Sequence, residues 1–155
     1  MDDYATMERR LVARLLNYWR TLGGGLGHAA AYGDIDHTKI GQEWDWCFVL
    51  DCREDAGDPT LVFVGDGLIA DFDDDPTEHR VSEIDSSKLL GKALSRHGTA
   101  VRRKLPVVLS GAYGIAHDRT VFYRGIILPL NGDGGDFGYL LGAATSLIKD
   151  GSSHV

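Results

Sequence analysis

Cysteine is scarce: the 155 residues hold two, Cys47 and Cys52. Two cannot build the disulfide framework that staples small secreted domains. Five positions apart on one strand, they are expected to face opposite sides, so no bond between them is predicted. Their spacing matches no common zinc motif, and both read as buried thiols. No run approaches the ~18 apolar residues needed to cross a bilayer. The first ten residues, MDDYATMERR, lack an apolar core, so no signal peptide is read there. The expected setting is cytoplasmic, with no membrane partner. Positive charge is in the minority: 16 Lys and Arg against 23 Asp and Glu give a formal net charge of -7. Such a surface repels phosphate backbones, so nucleic acid is not an expected partner.

Catalytic and cofactor motifs are missing as well. No serine sits in G-x-S-x-G, and no H-E-x-x-H occurs. Gly23-Gly24-Gly25-Leu26-Gly27 follows a predicted helix, whereas a dinucleotide fingerprint follows a strand and opens a helix. Gly91-Lys92 lacks the upstream glycine and following Ser/Thr of a phosphate-binding loop. Asp71, Asp73 and Asp75 imitate the opening of an EF-hand loop. Pro76 stands where that loop needs glycine, however, and Ser82 where it needs a bidentate glutamate. The run reads as a solvated loop with weak attraction for cations. The chain is therefore not expected to be an enzyme.

What is present is ordinary globular material, 43% hydrophobic and 25% charged, enough for one domain. Chains of this size bury roughly 70% of their unfolded surface. Met7, Leu11, Leu15, Tyr18, Trp19 and Leu22 recur at steps of three and four and predict an amphipathic N-terminal helix, ended by Gly23 to Gly25. The stretch from Leu26 to Glu43 reads as irregular. Residues 44–52 (WDWCFVLDC) and 60–64 (TLVFV) predict two strands joined by a turn rich in Asp, Gly and Pro. Short turns are expected at 68–72 and 81–84. One longer helix is predicted over 86–104, capped by Asp85 or Ser86 and stopped by Pro106. Strands over 107–113, 119–130 and 136–148 follow, the last two joined by the hairpin signal NGDGGD. The order predicts an α+β fold: a five-stranded antiparallel sheet, a helical connection between strands two and three, and an N-terminal amphipathic helix.

Three segments carry a family likeness. They are LNYWRTLGG (16–24), Asp34-Ile35-Asp36 with Cys47-Phe48-Val49-Leu50-Asp51, and RGIILPLNGDGGDFGYLL (124–141). These resemble the YWRSLRGG helix end, the DIDP and FLLD stretches and the final LLLPL hairpin of the short PAS-like family common in alphaproteobacteria, often called PAS_5. The element order resembles the wider PAS domain, whose helical connection encloses a small cavity. The family often carries basic residues at the corner where Gly25, Leu26 and Gly27 stand here, and a proline where His37 stands. An anion site at that corner is therefore expected to be weak. The likeness implies residues 1–25 as a dimerisation or sheet-capping helix, 26–150 as a single PAS-like domain and 151–155 as a tail.

The resemblance implies a non-catalytic sensory or regulatory module. It would bind a small ligand in its cavity and relay the signal by contact with a separate signalling protein. The residues assigned to the cavity lining are Phe48, Phe63, His97, Tyr113, Tyr123 and Tyr139. Strand parity groups Phe48 with Leu50, Tyr123 with Ile127, and Phe137 with Tyr139 and Leu141. It leaves open which face meets the cavity. Apolar walls with phenol or imidazole donors also describe a packed core, so a ligand-free interaction adaptor stays as an alternative. PAS N-terminal helices often mediate dimers, which makes a homodimer through the first helix the expected assembly. His97, on the apolar stripe of the second helix, could hold haem iron. A lone histidine carries no motif, and the preferred reading is a core histidine bonded to a backbone carbonyl. His28, His37, His79, His117 and His154 have no paired ligand spacing. Arg96, Arg102, Arg103 and Lys104 read as a charge bias complementing a helix C-terminus.

Overall fold

Leu11, Leu15 and Trp19 stand one helical turn apart and need one apolar partner surface. In the computed structural model, which describes residues 2–23, 30–70 and 72–150 (side chains from Arg10 onward), that surface is a β-sheet. Helix α1 (Asp2–Thr21) buries these three residues against Cys47, Val49, Leu128 and Leu141 of the sheet. Gly23 closes it at φ 101°, donating to Arg20 O. The other glycines expected to end the helix, Gly24 and Gly25, lie outside the described residues.

The strands are β1 (Ala30–Ala31), β2 (Cys47–Asp51), β3 (Thr60–Val64), β4 (Val107–Ile115), β5 (Arg119–Asn131) and β6 (Phe137–Asp150). The long five run β4-β5-β6-β2-β3, each pair antiparallel. The sixth, β1, falls in a stretch expected to be irregular. It adds a two-residue parallel pairing to β5 at Leu130 and Asn131. One edge of β5 thus passes from β4, which reaches Ile127, to β1, which begins at Leu130. Pro129 lies in that gap, where neither strand pairs with it, and its carbonyl accepts the Trp19 indole N–H at 2.8 Å.

Helices α2 (His37–Ile40), α3 (Asp66–Ile69), α4 (Leu89–Leu94) and α5 (His97–Arg103) complete the fold. The last three form the connection between β3 and β4. With the sheet they bury Phe48, Leu50, Leu90, Leu94, Ile127 and Leu140. The sheet is covered on both faces, by α1 on one and the connection on the other. That explains why β5 reads as a continuous apolar run over residues 126–130 rather than an alternation.

Two expectations are corrected. Residues 44–46 belong to a 3-10 turn, Gly41–Trp46, and the strand starts at Cys47. On one strand Trp44 and Trp46 would share a face. The turn separates them: Trp44 stacks on Phe63 with centroids 4.3 Å apart, and Trp46 packs against both clusters. The helix expected over 86–104 begins later and is broken. Asp85 spends its carboxylate on the Ser87 N–H and hydroxyl, and α4 starts at Leu89. Its last turn is closed by the Ser95 hydroxyl on Lys92 O before α5 departs at His97.

Candidate ligand groove

Strand parity assigns five of the six cavity candidates to faces, and two irregularities divide them; the sixth, His97, is on α5. Phe48 lies on the connection side, fully buried. Its ring occupies the space over Gly142, where a Cβ would overlap Phe48 Cζ. Tyr123 packs on the same side, with its ring against Gly111 and 6.0 Å from Tyr113. Phe63 lies on the α1 side. The register between β2 and β3 shifts between Val49 and Leu50, which pair with Phe63 and Leu61. The extra residue, Val62, turns with Phe63 toward α1 while Leu61 and Val64 face the connection. Tyr139 is also on the α1 side, stacked on Tyr32 at 4.0 Å with the Arg53 guanidinium 4.9 Å from its ring centre. The β5–β6 register skips Gly138, so Phe137 joins the connection side while Tyr139 and Leu141 face α1. The expected grouping of those three is thereby corrected.

His97 is half-buried at the start of α5. Its Nδ1 lies 2.8 Å from Leu94 O, within hydrogen-bond reach. Haem needs a slot beside its axial imidazole. No residue of α5 stands in the groove described below, so the residues present do not fit haem there. Among the described residues no three metal-ligating side chains converge. Asp75 spends its carboxylate on the Thr77 N–H and hydroxyl, and Asp71 lies outside the described residues. Burial pushes the Cys52 thiol up to about 12. Burial, reinforced by Glu43 and Asp45, pushes Cys47 higher still. Neither is a thiolate near neutral pH, so neither is placed as a nucleophile. Arg102 and Arg103 lie in the last turn of α5, as their charge pattern predicted, and Lys104 closes the helix at φ 54°.

The centre of the connection side is buried, and its end is open. Strands β5 and β6 run on past α3 and α4. Between them lies a groove of about 610 Å³ walled by Trp46, Leu68, Leu89, Tyr113, Val121 and Ile148. Its walls are mostly apolar, with Lys88, Tyr113 and the Ser87 and Ser146 hydroxyls supplying polarity. Of the six candidates only Tyr113 lines it. Trp46 sits at its base, its indole 2.8 Å from where a Cβ on Gly67 of α3 would stand. Ile148 forms the rim and is 51% exposed. Such a concave apolar space with a few polar groups has the character of a small-molecule site.

No family model matches the chain, and no curated protein matches it. Among solved structures it is similar to the PAS domain of BvgS from Bordetella pertussis. The identity is 13% and the TM-score 0.44, over 64% of this chain and 73% of that one.

Proposed function

We propose that the chain is a non-catalytic, PAS-like sensory or regulatory module that takes a small, mainly apolar ligand. The site is the groove between the connection and the end of the sheet. The observation that carries this reading is the groove itself: about 610 Å³, with Leu68, Leu89, Val121 and Ile148 beside the Tyr113 ring. The sensory class is motivated by the PAS_5-like reading of residues 16–24, 34–36, 47–51 and 124–141, a reading that no family model matches. In this reading residues 26–150 form the sensing domain, with 1–25 as its capping helix and 151–155 as a tail. A ligand that packs better against one placement of Trp46 and α3 shifts the population toward it. The altered surface is then read by a separate signalling protein.

The buried centre, where Phe48 and Leu90 are inaccessible to solvent and the Phe48 ring packs over Gly142, supports a second reading as a ligand-free adaptor. A homodimer through α1 fits either reading. Because Leu11, Leu15 and Trp19 are spent on the chain's own sheet, it would use another face of the helix.

A thermal-shift screen of metabolite classes separates the two readings. Ligand at about 100 times its dissociation constant adds about 2.7 kcal/mol, a rise of several degrees in Tm for a domain this size. The sensor reading expects one class to give that rise, and Ile148→Glu, which places a charge on the groove's exposed rim, to reduce it. No rise with any class, or a rise that Ile148→Glu leaves untouched, favours the adaptor.

A further inference from the structure

A second concavity lies on the other side of Trp46. Between α1, the Gly41–Trp46 turn and β6 is a cleft of about 370 Å³. Leu11 and Trp46 give it an apolar floor; Arg10, Arg14, Gln42, Glu43, Thr145 and Ser146 give it polar walls. Arg14 is spent on Glu43, Nη1 to Oε1, which leaves Arg10 as the charge in excess among the described residues of the cleft. Two buried oxygens of the cleft have no hydrogen-bond partner among the described residues: Thr145 Oγ1, and Glu43 Oε1, which is held by the Arg14 ion pair alone. A buried hydroxyl left unsatisfied is costly, and a ligand or an ordered water can relieve it.

We propose that this cleft binds a small organic carboxylate. The carboxylate would lie between the Arg10 guanidinium and the Thr145 hydroxyl, both of which donate. Its apolar body would rest on Leu11 and the Trp46 indole. The argument comes from charge: Arg10, Arg14 and Glu43 together carry one net positive charge, which suits a monoanion and disfavours a cation. It comes also from the lining, since the apolar Leu11 and Trp46 beside the unpartnered Thr145 hydroxyl fit an acid with an aromatic or short aliphatic body better than a bare inorganic anion. The site is defined by residues the groove lacks, Arg10, Arg14, Glu43 and Thr145, although Trp46 and Ser146 line both.

The probe is sodium benzoate, with benzamide and benzylamine as neutral and cationic controls and sodium chloride at matched ionic strength. Amide and indole NMR shifts of the full chain are followed through the titration. The proposal expects benzoate to move the Trp46 indole and Thr145 amide signals saturably, with benzamide and benzylamine much weaker. Arg10→Ala should weaken benzoate by about tenfold or more, as loss of a charge-assisted hydrogen bond does. Thr145→Val keeps the side-chain shape and removes the orphan hydroxyl, so it should weaken benzoate while leaving Tm unchanged or raised. Ile148→Glu, on the groove's far rim, should leave benzoate binding intact, which separates failure of this site from failure of the groove. Equal binding of benzoate and benzamide, full retention in Arg10→Ala, or no saturable shift because the cleft holds water only, would each overturn the proposal.

Discussion

Gly142 and Phe48 show how one missing Cβ sets the packing of the sheet's inner face. The Phe48 ring fills the space a side chain at 142 would take, and it is surrounded by fully buried leucines, so it has no cheap way to yield. Gly142→Ala is therefore expected to destabilise the fold by about 1–3 kcal/mol through overpacking. Gly134→Ala in the β5–β6 turn, where a new Cβ meets nothing within 4 Å, should be near neutral. Urea unfolding of both variants decides this, and equal midpoints would contradict the packing account. A second residue-scale device recurs along the loops. Asp36, Asp75 and Asp85 each accept from the hydroxyl and N–H of a Thr or Ser two positions on. Asp58 does the same across the fold with Ser82. These Asx-type turns take the place of the regular ladder where the chain reverses.

At the scale of elements, α1 behaves as one layer of the core. Leu15 is 2% exposed between Trp19 and the sheet, and Leu15→Ala is expected to cost about 2–5 kcal/mol as the cavity opens. A loss below 1 kcal/mol in chemical denaturation would mean that the helix is only loosely docked. The order of α1 and the five long strands, the β2–β3 and β5–β6 hairpins and the separation of Cys47 from Cys52 onto opposite faces were legible in the sequence; β1, α2 and the break between α4 and α5 were not. Period-two alternation and glycine-rich turns act locally, so they can be read locally. The misplaced candidates have a common cause. TLVFV is apolar at nearly every position, so its alternation carries no mark of the extra residue at Val62. The skipped Gly138 likewise reverses Phe137 relative to Tyr139 without any trace in composition. A bulge changes parity while leaving hydrophobicity as it was. Most of the groove was missed because Trp46 and Ile148 meet only in three dimensions. The signal available was length: β6 has 14 residues against six for α4, so the strand outruns the helix that covers it.

For the molecule as a whole, acid is the expected route to unfolding. Asp58 is held below its usual value of 3.8 by the Ser82 hydroxyl and then the Ser82 N–H. Asp36, Asp75 and Asp85 are lowered in the same way by Thr38, Thr77 and Ser87. Asp51 is lowered chiefly by the Arg53 side chain. A carboxyl whose folded value lies below its unfolded one contributes stability that is complete above the unfolded value and lost as pH falls through the folded one. The urea midpoint should accordingly hold steady above about pH 5 and fall progressively as the pH drops below about 4. A midpoint unchanged down to pH 3 would contradict these assignments. On the same scale, two concavities flank Trp46, and whether the groove takes a ligand separates the sensor and adaptor readings proposed above. The most direct test is native mass spectrometry of the protein purified from its own host, beside the Ile148→Glu variant prepared identically. The account predicts a stoichiometric small molecule released on denaturation from the first and depleted in the second. An apo chain in both preparations, with no stabilising class in the metabolite screen, would contradict it.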